Sequence, residues 1–76
     1  MDEELSLQDF FIGVANTYED LHKMDSNWKY GRVLYNTLFL ARPDIALQIA
    51  GTELDPTHLD AHRIDVNLYI LIQLNW

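Results

Sequence analysis

In the first part of the chain, apolar residues recur at helical spacing. Leu7, Phe10, Phe11, Val14, Tyr18 and Leu21 fall within one arc of about 100° on a helical projection. Gln8, Asp9, Asn16, Glu19, Asp20 and Lys23 take the opposite side, with Ile12 as the exception. Ser6 is placed as an N-cap, with Asp9 three residues on as in a capping box. Leu5 and Phe10 have the spacing of a hydrophobic staple. His22 and Lys23 stand in the last turn, where positive charge suits the helix dipole. The pattern breaks at Asp25-Ser26-Asn27, which offers caps for the next element.

A second helix is predicted over about residues 28–41. Trp28, Tyr30, Gly31, Leu34, Tyr35, Leu38, Phe39 and Ala41 make a broad apolar face, and only Lys29, Arg32 and Asn36 form a polar stripe. Such a helix is central to its fold or touches a partner as well. Gly31 lies inside the apolar face, where it suits close approach of another backbone. Arg42-Pro43 ends this helix, and Pro43 opens a short third one that Gly51 stops. Ile45, Ala46, Ile49 and Ala50 give the third helix a small apolar side. Asp55-Pro56 then reads as N-cap and first residue of a fourth helix, with Leu54 and Leu59 as a second staple.

The last thirteen residues support two periods. Even-numbered positions from Ile64 to Trp76 are all apolar, which alone reads as a strand. Nothing else in the chain offers a partner strand, so a strand here would pair with itself in a dimer. As a helix, Ala61, Ile64, Leu68, Leu71 and Ile72 form a core stripe. Val66, Ile70 and Leu74 then form a second stripe on the other side, which a small monomer has little left to cover. The expectation is an all-α compact bundle of three to four short helices in a single domain, self-associating through Val66, Ile70 and Leu74. The minor alternative is C-terminal strand self-pairing.

Composition adds bounds. Apolar residues make up 49% of 76 residues and there is no cysteine, so packing alone must hold the domain, as is usual in a reducing cytosol. The opening Met1-Asp2-Glu3-Glu4 is unlike a basic signal peptide, and no apolar run reaches membrane-spanning length. A cytoplasmic protein without membrane contact is expected. The net charge of −7 opposes nucleic-acid binding, although Lys29, Arg32 and Arg42 could form a local basic patch. A helix–turn–helix reading fails because residues 44–50 hold no lysine or arginine and begin on an acid. An acidic nucleic-acid mimic stays open as a minor reading.

Catalytic chemistry has little to work with. The two serines, Ser6 and Ser26, are placed as caps, and the three glycines are too scattered for a phosphate loop. No enzyme and no cofactor is expected. In the helical reading Asp55, His58, His62 and Asp65 share one face, and a His-x-x-x-His pair with a nearby carboxylate can hold Zn²⁺ or Ni²⁺. His58, His62 and Asp65 are therefore the candidate metal ligands, against the plainer reading of a solvated polar face.

The run Trp28-Lys29-Tyr30-Gly31-Arg32-Val33-Leu34-Tyr35-Asn36, then Arg42-Pro43-Asp44-Ile45-Ala46, then Gly51-Thr52-Glu53-Leu54-Asp55-Pro56, resembles a group of short, uncharacterised bacterial and phage proteins. The resemblance covers residues 28–56, and the tail after Pro56 departs from it. It implies helices and carries no activity with it. The function expected is contact with itself or another protein, as a phage-type or bacterial accessory or modulator.

Overall fold

The computed structural model describes residues 5–76. The acidic opening, residues 1–4, on which the signal-peptide reading rests, lies outside the described residues. The fold is all-α: α1 (Leu7–Met24), α2 (Tyr30–Ala41), α3 (Pro43–Ile49), a 3-10 turn (Ala61–Arg63) and α4 (Val66–Asn75), with no strand among the described residues. None of these helices is long and apolar enough to cross a membrane.

The first helix starts where its cap requires. Ser6 Oγ accepts from the Asp9 N–H at 3.0 Å, and the Asp25 N–H closes the other end on Leu21 O. Phe10 and Val14 are buried and Leu7, Phe11, Tyr18 and Leu21 pack on the core. Ile12 is exposed, as its place on the polar side implies.

The second helix begins two residues later than expected. Asp25 does not cap it, because its carboxylate accepts from Asn27 N–H within its own turn. Lys29 is the N-cap and makes no side-chain cap bond. One of the helix's first N–H groups is satisfied from afar instead: Gly31 N donates to Leu59 O at 2.9 Å. Val33, Leu34 and Leu38 are buried, and α2 packs on both α1 and α3. The third helix runs from Pro43 and buries Ile45, Ala46 and Ile49. Gly51 follows it at φ 76°, the left-handed region that favours glycine.

The fourth helix does not start at Asp55-Pro56. Residues 52–60 form turns, because Asp55 bonds backward as well as forward: its carboxylate accepts from Gly51 N at 2.8 Å, from Thr57 N and from the Thr57 hydroxyl. Pro56 O takes Leu59 N, and Leu59 O takes Gly31 N. Residues 56–59 are thereby tied to the start of α2 rather than propagating a helix. The staple expected of Leu54 and Leu59 loses its helix, and both are half-buried.

The C-terminal segment is helical, so the strand reading is overturned. Asp65 caps α4, its Oδ1 accepting from Asn67 N at 2.9 Å. Leu68 and Ile72 are fully buried, Ile64 and Leu71 pack beside them, and Ala61 is exposed in the 3-10 turn. The core joins Phe10 and Val14 to Val33, Leu34, Leu38, Ile45, Ala46, Ile49, Leu68 and Ile72. The molecule measures 36 × 29 × 17 Å, so its thin dimension holds about two helix layers.

Candidate functional site

Three side chains of α4 face away from that core. Val66 is 64% exposed, Ile70 46% and Leu74 80%, while Leu68 and Ile72 on the inner side are 0% exposed. The sequence Val-Asn-Leu-Tyr-Ile-Leu-Ile-Gln-Leu-Asn carries no charged residue. A helix that is apolar all round is normally surrounded by other elements. This one is surrounded on one side only.

The helix is anchored at its C-terminal end. Arg42 donates to the carbonyl oxygens of Trp76 (3.0 Å) and Asn75 (3.1 Å), and its guanidinium also stacks over the Trp76 ring at 5.5 Å. The same guanidinium forks onto both carboxylate oxygens of Asp44. That contact holds the exposed Asp44 carboxyl below the usual carboxylate range. Trp76 in turn packs its ring on Phe10 and donates Nε1–H to Leu5 O at 3.0 Å. Tyr69 packs against Phe11, and burial raises its phenol above the ordinary value near 10. These contacts fix which side of α4 turns outward.

The histidine constellation is not assembled. With no helix over residues 55–65, His58 lies in a turn and His62 in the 3-10 turn, both exposed. Asp65 is spent as the cap of α4 and Asp55 as the hub of the loop after α3. Burial pushes the Asp55 carboxyl up, but the hydrogen bonds from Gly51 and Thr57 and the nearby His58 outweigh it and leave the group lowered. No group of three histidine, aspartate or glutamate side chains stands placed to hold a metal ion among the described residues.

The basic segment is likewise divided. Lys29 pairs with Asp60 at 3.2 Å, Arg32 stacks over Trp28 at 4.8 Å, and Arg42 is engaged at the end of α4. Arg32 and Trp28 line a shallow cleft of about 140 Å³ with Asp25 and Asn27. Further apolar residues that the sequence pattern does not mark are exposed, among them Met24 at the end of α1, Leu40 on α2 and Leu47 on α3. Leu47 stands two residues from both Ile45 and Ile49, about 150° around α3 from the buried side, and Leu40 stands two residues beyond buried Leu38, so helix geometry turns both away from the core.

No protein-family model, curated protein or solved structure matches the chain.

Proposed function

We propose that this is a small acidic helical protein that acts by protein–protein contact, without catalysis, as an accessory or modulator of the phage or bacterial kind. Its contact surface is the outward face of α4, and its place of action is the cytoplasm. One observation carries this reading. In a chain of net charge −7, α4 holds no charged residue and turns three large apolar side chains to the outside. Fully burying a side chain of this size is worth roughly 1.5–3 kcal/mol, so leaving three outward is costly unless something covers them.

The partner surface that fits is apolar and uncharged, with room for a helix. The test is site-specific photo-crosslinking in cells that produce the protein naturally. A crosslinker at Ile70 should give protein adducts of defined mass, and one at Gln8 on the exposed side of α1 should give none. Absence of adducts at Ile70 would remove the contact-surface reading.

A further inference from the structure

The outward face of α4 has a symmetry of its own. About Ile70, Val66 mirrors Leu74, Asn67 mirrors Gln73, and Leu68 mirrors Ile72. At about 100° per residue, Val66, Ile70 and Leu74 form one slanted stripe, and Asn67 and Gln73 lie about 60° to either side of Ile70. All five are exposed. The face is thus an apolar centre rimmed by two neutral amides, chemically alike when read from either end.

We propose that the occupant of this face is a second copy of the same chain, with α4 packed antiparallel to its counterpart on a two-fold axis at Ile70. This rests on the reading of α4 as a contact surface and names the partner. A two-fold interface pairs a surface with itself. Here Ile70 meets its counterpart, and Val66 meets Leu74 of the second copy, in both directions. The two copies of Asn67 then lie along one edge of the seam and the two copies of Gln73 along the other, each pair offset by about 9 Å along the axis. Charged residues at these places would repel their own copies. Amides carry both donors and acceptors and are complementary to themselves. Antiparallel packing also opposes the two helix dipoles. The neutrality of α4 keeps like charges out of the seam, and salt screens the repulsion between the more distant charges of the two copies.

One pair of ten-residue helices is smaller than a standard interface, so the dimer is expected to dissociate on the order of micromolar concentration. The chain contains no cysteine, which makes disulfide trapping clean. Ile70→Cys, oxidised at high protein concentration, should give the covalent dimer as the main product. Val66→Cys and Leu74→Cys should each give none alone, because antiparallel copies of either position are offset by about 12 Å along the axis. A mixture of those two variants should give the crosslinked heterodimer. Gln8→Cys serves as the collision control.

Self-crosslinking of Val66→Cys as fast as Ile70→Cys would overturn the antiparallel pairing. No crosslink above the control in any variant would overturn the second copy as occupant. Photo-adducts at Ile70 with a mass other than the dimer would uphold the contact surface and overturn only the partner named here.

Discussion

The backbone N–H of Gly31 donates to the carbonyl oxygen of Leu59 at 2.9 Å, which brings the loop after α3 down onto the first turn of α2. A Cβ on Gly31 would stand 2.7 Å from that same oxygen and 2.8 Å from the carbonyl carbon of Pro56, and would overlap the Pro56 oxygen. All three obstacles are backbone, so no side-chain rotation relieves them.

Gly31→Ala should therefore destabilise the protein by at least about 3 kcal/mol, the upper range of overpacking, despite alanine's better helix propensity. For a domain of this size that is a fall in Tm of at least about 12 °C, read by thermal circular dichroism. An unchanged or raised Tm would show that the loop is not seated on α2.

Gly31 also shows how far the sequence could be read. Its place in an apolar face pointed to a close backbone approach, but what approached came from residues 56–59, which the pattern had assigned to a helix. Capping and periodicity are local and were legible in Ser6, Pro43 and Gly51. Asp55 was misleading because Asp-Pro is a good helix opening, and only the fold brings Gly51 N within reach of its carboxylate. The outward stripe Val66, Ile70 and Leu74 was legible because helix geometry alone separates it from Leu68 and Ile72. The metal face was not, since it depended on a helix that the Asp55 hub prevents.

The Arg42 fork predicts a loss that lysine cannot repair. Arg42→Ala should cost about 2 kcal/mol, as expected for hydrogen bonds made by a charged group, and should loosen the last turn of α4. Arg42→Lys should restore less than half, because one ammonium cannot reach Asp44, Asn75 and Trp76 together. Chemical denaturation with Trp fluorescence measures both. Full rescue by lysine would reduce the fork to a simple charge effect.

The Asp55 hub predicts acid sensitivity. Its carboxyl is lowered in the folded state, so its contribution is present above the unfolded value near 3.9 and is lost as pH falls through the folded one. Below about pH 4 the wild type should lose stability more steeply than Asp55→Asn. Parallel profiles for the two proteins would show that this carboxylate does not carry the dependence.

The dispersal of His58, His62 and Asp65 predicts weak metal binding. Calorimetric titration with Zn²⁺ should give an affinity no better than the micromolar class, and His62→Ala should change it little. A submicromolar site lost in that variant would mean that residues 55–65 rearrange around the ion.

The two sides of α4 can be separated by mass. Leu68 is fully buried and Ile70 is not, so the same substitution must act differently at each. Leu68→Asp places a charge in the core and should unfold the chain. Ile70→Asp should leave it helical, with a charge facing its own copy. Size exclusion with light scattering on wild type and Ile70→Asp, from low micromolar to hundreds of micromolar, reads the outcome directly. The wild type should move from monomer to dimer mass as concentration rises while Ile70→Asp stays monomeric. A wild type that remains monomeric throughout, or an Ile70→Asp variant that dimerises equally well, would contradict self-contact through this face.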